Sequence, residues 1–149
     1  MVGENKVLVV ATLAVIGVMV FVVPANAGTM LTTSLTGAAE VDGAGNPNQG
    51  DPDGTGTARL NLMPKKENVC YSIAVENIEP ATMAHIHKAP AGQNGPIFKG
   101  LMAPSDGSSS GCAKMKRKQI MMIKNNPQNF YVNVHNVPFP NGALRGQLG

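Results

Sequence analysis

An all-β domain is the fold class this sequence predicts: an antiparallel β-sandwich or squat β-barrel of six to eight short strands with one short helix. Three observations predict it. Apolar and polar residues alternate with a period of two in segment after segment, as a strand with one buried face requires. Turn residues punctuate those segments, with 17 glycines and 11 prolines among 149 residues. One stretch alone, Lys116 to Lys124, lacks alternation and is rich in helix formers.

Taken in order, Met30 to Thr36 is Thr-rich and partly alternating, a first strand. Asp42 to Gly56 carries no apolar residue large enough to anchor it and reads as a loop. Within that loop, Asp51-Pro-Asp53-Gly54 lacks the ligand series of a calcium loop. Thr57 to Met63, with Leu60 and Leu62 on one face, and Val69 to Val75 make a hairpin around Pro64–Asn68. Thr82 to His87 is a fourth strand and Pro96 to Leu101 a fifth, separated by the turn Pro90–Gly95. Ser105 to Gly111 reads as a flexible polar loop. The helix over Lys116–Lys124 is stopped by Asn126-Pro127. A hairpin closes the chain. Phe130, Val132 and Val134 alternate with Tyr131, Asn133 and His135, one set buried and one polar. Beyond a Pro/Asn/Gly turn, Leu144 and Leu148 alternate with Arg145 and Gln147 in the same way.

The N-terminus carries a different signal. Lys6 precedes an apolar run from Val7 to Val23, interrupted by Thr12 and Gly17 and followed by Pro24-Ala25-Asn26-Ala27. A basic residue, an apolar stretch and a small-x-small ending describe a secretory signal peptide over residues 1–27, cleaved after Ala27. An uncleaved membrane anchor is the alternative. Residues 28–149 then form one domain, long enough for a single core. The expected location is secreted, periplasmic or cell-envelope. In such an oxidising compartment the only two cysteines, Cys70 and Cys112, are expected to form a disulfide rather than a C-x-x-C redox or metal centre.

The formal charge is +3. The basic cluster Lys114, Lys116, Arg117 and Lys118 has few aromatic neighbours, which speaks against nucleic-acid binding. A solvated face is the simple reading, with attraction to an anionic surface or polymer beside it.

All three histidines of the chain lie in two strand segments, His85 and His87 in one and His135 in the other. Residues two apart on a strand share a face, so His85 and His87 point together, as do Tyr131, Asn133 and His135. If the strands are neighbours, three imidazoles converge beside Arg145 and Gln147. Three neutral imidazoles with an open position suit zinc or copper. Met83 shares a face with His85, and its thioether suits cuprous copper. The alternative is a purely structural network in which the histidines, Glu40, Asn133, Arg145 and Gln147 fix strand register by hydrogen bonds, with an Arg145–Glu40 charge pair. No catalytic residue is assigned. There is no G-x-S-x-G elbow, and Glu40, Glu67, Glu76 and Glu79 have no motif context for glycoside cleavage.

Four motifs occur in a specific order: Gly37-Ala-Ala-Glu40-Val41, then Ala84-His85-Ile-His87 with Gly92-Gln-Asn-Gly95-Pro96, then Tyr131-Val-Asn-Val-His135, then Gly142-Ala-Leu-Arg145-Gly-Gln-Leu148. In this order they resemble the CHRD domain, the module named after chordin, over about Met30 to Gly149. The resemblance implies an all-β extracellular module, usually without an assigned biochemical activity. In chordin the domain belongs to an antagonist of a secreted growth factor, a role not carried over, because the cysteine-rich modules that accompany it there are missing from this sequence. The H-x-H strand with a distant histidine also resembles copper-zinc superoxide dismutase on an immunoglobulin-like or superoxide-dismutase-like sandwich. That enzyme's bimetal site, however, uses more histidines than three. Two functions follow as expectations. One is a non-catalytic secreted module that binds an extracellular protein, polymer or surface, with a membrane partner only if residues 1–27 stay attached. The other is a copper- or zinc-binding or redox protein using His85, His87 and His135.

Overall fold

The computed structural model describes residues 28–149, so the expected signal segment 1–27 lies outside the described residues. Eight strands form: β1 (Thr29–Thr36), β2 (Thr55–Met63), β3 (Asn68–Glu76), β4 (Ala81–His87), β5 (Ile97–Leu101), β6 (Ser108–Lys114), β7 (Tyr131–Asn136) and β8 (Leu144–Gln147). Helix α1 spans Arg117–Asn125. The strands make one antiparallel sheet in the order β5-β4-β7-β8-β1-β2-β3-β6, rolled into a nearly closed barrel. The two edge strands approach through Met102, just past β5. Its N–H donates to Tyr71 Oη at 2.8 Å and its carbonyl accepts from Ser109 Oγ at 2.8 Å. Among the described residues no helix is long and apolar enough to cross a membrane.

Alternation explains the barrel interior. Leu35, Ala58, Leu60, Leu62, Val69, Ile73, Ala84, Ile86, Val132, Val134 and Leu144 are almost fully buried. They are the inward members of their strands, and burying each large one stabilises the fold by about 1.5–3 kcal/mol. Helix α1 closes one end of the barrel with Ile120 and Ile123. Beside it, Lys65, Lys66, Arg117 and Lys124 rim a cleft of about 300 Å³.

One strand was not expected. The segment read as a flexible polar loop at Ser105–Gly111 runs into a strand, β6, which pairs with β3 over Asn68–Ala74. Its inward positions Ser109, Gly111 and Ala113 face Ile73, Tyr71 and Val69. Large partners leave room only for small residues, so no apolar alternation is visible. At Gly111, a Cβ would stand 3.0 Å from Tyr71 Oη. Cys70 and Cys112 are direct register partners and form the expected disulfide, which ties this edge strand to β3.

The polar side of the closing hairpin is covered as well: all six residues of β7 are buried. The segments between β1 and β2 and between β4 and β5 fold back over the outer side of β4, β7 and β8 and form a second, polar layer. Close backbone approach makes that layer possible. Gly142 has φ +146, and a Cβ there would collide with the Glu40 carboxylate. Asp51 N–H donates to the Ala143 carbonyl at 2.9 Å, tying the first loop to the hairpin turn.

Candidate metal centre

Strands β4 and β7 are neighbours, with Met83 opposite His135, His85 opposite Asn133 and His87 opposite Tyr131. The inward residues between them, Ala84, Ile86, Val132 and Val134, hold both strands on the core, so all three imidazoles project to the outer side together. One ligand nitrogen from each ring lies within 4.8 Å of the other two. His85 Nδ1 and His135 Nε2 are 3.2 Å apart, a hydrogen bond in which His85 Nδ1–H donates, because His135 Nδ1 carries its own proton toward the Pro140 carbonyl. Two metal–nitrogen bonds of about 2.0–2.1 Å in tetrahedral geometry put nitrogens about 3.4 Å apart, so this pair has the spacing of two ligands, and an ion would have to draw the third nitrogen closer.

Backbone carbonyls set the tautomers. His87 Nδ1 sits 2.9 Å from the Gly95 carbonyl and His135 Nδ1 sits 3.1 Å from the Pro140 carbonyl. A carbonyl only accepts, so each Nδ1 carries the proton and each Nε2 keeps its lone pair. Carbonyl-anchored imidazoles of this kind are how metal-ligating histidines are oriented. His87 Nε2 is buried without a hydrogen-bond partner. Burial is also the main cause that lowers the pKa of all three rings. His87 and Arg145 add like-charge repulsion on His85 and His87 respectively, and His85 and His87 do so on His135. The rings are therefore held neutral, the form that binds metal.

The four polar residues expected to join the histidines divide into two groups. Asn133 Nδ2 donates to Glu40 Oε1 beneath the first loop. Burial pushes the Glu40 carboxyl up from 4.5 to about 7, against the opposing pull of the Arg145 charge and the Asn133 amide. Arg145 does not make the expected hydrogen-bonded pair with Glu40. Its donors go to the second loop: Nη2 to the Gln93 carbonyl at 2.7 Å and the Pro90 carbonyl at 3.2 Å, and Nη1 to Asn94 Oδ1 at 3.3 Å. Gln147 Nε2 reaches the Ala89 carbonyl at 3.0 Å and the Gln128 carbonyl at 2.7 Å. Loop carbonyls outcompete the carboxylate because the loop lies directly over β8.

The CHRD domain family matches residues 31–148, nearly the whole described chain. This chain belongs to the CHRD domain family. No curated protein and no solved structure matches it. The CHRD motifs thus coincide with the polar layer: Glu40, the H-I-H strand, the Asn94-Gly95 turn, His135 and Arg145 all lie in it.

Two participants in this CHRD domain, Tyr131 and Asn94, had no role assigned from the sequence. Tyr131 stacks on His87 with ring centroids 4.9 Å apart and planes 7° from parallel. The Arg145 guanidinium lies 3.5 Å from the centroid of the same tyrosine ring. Asn94 Nδ2 donates to the Val41 carbonyl at 3.0 Å and the Asp42 carbonyl at 3.1 Å, joining the two loops. Tyr131 was legible as a member of the His135 face, but the Gly95 and Pro140 carbonyls leave no side-chain signal in a sequence.

Proposed function

We propose that this CHRD domain is a metal-binding module of the extracellular space or cell envelope, holding copper or zinc on His85, His87 and His135. The observation that carries the reading is the convergence of three neutral imidazoles, with one nitrogen from each within 4.8 Å of the other two. Among them His87 Nε2 is buried without a hydrogen-bond partner from the described residues, and a metal ion would supply one. The disulfide supports an oxidising compartment. The reading assigns binding and no catalysis.

The test is metal content. The purified protein, reconstituted with copper or zinc and freed of excess ion, is expected to retain one equivalent by mass spectrometry and to melt at a higher temperature than the metal-free form. His87→Ala is expected to lose the metal and the thermal shift while keeping the fold. Sub-stoichiometric copper and zinc in the wild type overturns the proposal. A His87→Ala protein that unfolds in the absence of any metal favours the structural network instead.

A second reading, adsorption to an anionic polymer or surface, is favoured by the rim of Lys65, Lys66, Arg117 and Lys124 around the cleft beside α1. Binding to a polyanion resin is expected to fall steeply with salt and to weaken in Lys65→Gln/Lys66→Gln. Salt-independent binding, or none, removes it.

A further inference from the structure

Met83 is a large apolar side chain left 46% exposed on a strand whose other apolar residues are buried. It stands directly opposite His135 in the β4–β7 register and two residues before His85, on the same outer side. Directly opposed residues have Cβ atoms about 4.5–5.5 Å apart. A methionine, with three rotatable side-chain bonds, spans that interval without moving the backbone.

The charges around the cluster point the same way. The three histidines gather without any carboxylate among them. Glu40, the buried acid of the same layer, is engaged by the Asn133 amide. The full charge stacked closest behind the site is positive: the Arg145 guanidinium covers Tyr131, and Tyr131 covers His87. Neutral ligands backed by a fixed cation oppose a doubly charged ion more strongly than a singly charged one. Imidazole accepts zinc and copper alike, so the thioether is the one soft donor of the set, and it favours monovalent copper.

We infer that the site is selective for cuprous copper and that the Met83 thioether is its fourth ligand, an inference that rests on the three-histidine metal site proposed above. The outward, half-exposed placement of Met83 leaves that ligand on the solvent side, where it closes over an ion already held by the imidazoles.

The experiment titrates the purified protein, without oxygen and with a reductant that spares the disulfide, against a chromophoric cuprous chelator. A parallel titration uses zinc against a zinc indicator. The expected result is one cuprous ion per protein, held against the chelator, with zinc bound more weakly. Met83→Leu keeps the volume and the apolar character of the side chain. It is expected to weaken cuprous binding by about tenfold or more, to leave zinc binding and thermal stability unchanged, and to remove a copper–sulfur distance from the X-ray absorption spectrum. Tighter zinc than copper, or a Met83→Leu protein with unchanged copper affinity and no copper–sulfur distance in the wild type, overturns this inference and leaves the three-histidine site standing. Failure to hold either metal overturns both.

Discussion

Arg145 is among the largest fully buried side chains of the described chain, and its guanidinium is satisfied by backbone carbonyls and a tyrosine face rather than by a carboxylate. That choice leaves Glu40 as a buried acid with one amide for company. Its pKa of about 7 has a defined consequence for stability. The native state holds this proton more tightly than the unfolded chain does, so the contribution is complete below pH 4.5 and is lost as pH rises to about 7. A shift of that size is worth roughly 3 kcal/mol. Glu40→Gln keeps an acceptor for Asn133 Nδ2 and offers an amide donor to Asn133 Oδ1, which is buried without a partner. The variant is therefore expected to match the wild type near pH 4.5 and to exceed it by an amount that grows up to pH 7. Denaturant titrations of both proteins across that range check it, and the difference cancels the opposite slope of the histidines, whose lowered pKa values cost stability on acidification. Parallel curves refute the assignment.

Among the elements, β6 depends most on a covalent tie. It is an edge strand built from serine, glycine and alanine, with little apolar area to bury against β3. The disulfide closes a sequence separation of 42 residues, for which loop-closure entropy gives about 4 kcal/mol as an upper guide. Cys70→Ser/Cys112→Ser is expected to lower the melting temperature, with amide protection lost over Ser108–Lys114 before it is lost over β1 or β7. Uniform loss of protection over all strands counts against a local role for the bridge. The two covering loops are a contrasting case. They hold on through polar contacts to β7 and β8, so their order depends on Asn133, Arg145 and Gln147 rather than on a hydrophobic face.

At the scale of the whole molecule, the last strand is an interior one. β8 lies between β7 and β1, with Asn133 opposite Arg145 on one side and Thr36 opposite Arg145 on the other. It joins the half of the barrel that carries the histidines to the half that carries the disulfide. Removing residues 145–149 deletes this seam together with Arg145, Gln147 and Leu148. The truncated chain is expected to lose cooperative unfolding and strand circular dichroism; an unchanged melting temperature refutes the placement. Closure also explains why the metal-site residues lie far apart in sequence. His85 and His135 meet because β4 and β7 pair across an intervening α1 and two strands.

Much of this was legible in the residues. Alternation, strand-forming residues and the turns between them located β1 to β5, β7 and β8 and the β2–β3 hairpin. The helix formers at Lys116–Lys124 located α1 to within one residue at each end, and the lone cysteine pair predicted its own bridge. Spacing alone put His85 beside His87 on one face. These features are local: they depend on a side chain and its neighbours two to four residues away. The strand order, the burial of the polar face, the division of Arg145 from Glu40 and the identity of β6 were decided only in three dimensions. Each depends on which distant backbone covers or opposes a residue. A carbonyl from Gly95 or Pro140 that selects a histidine tautomer has no side chain through which a sequence can announce it.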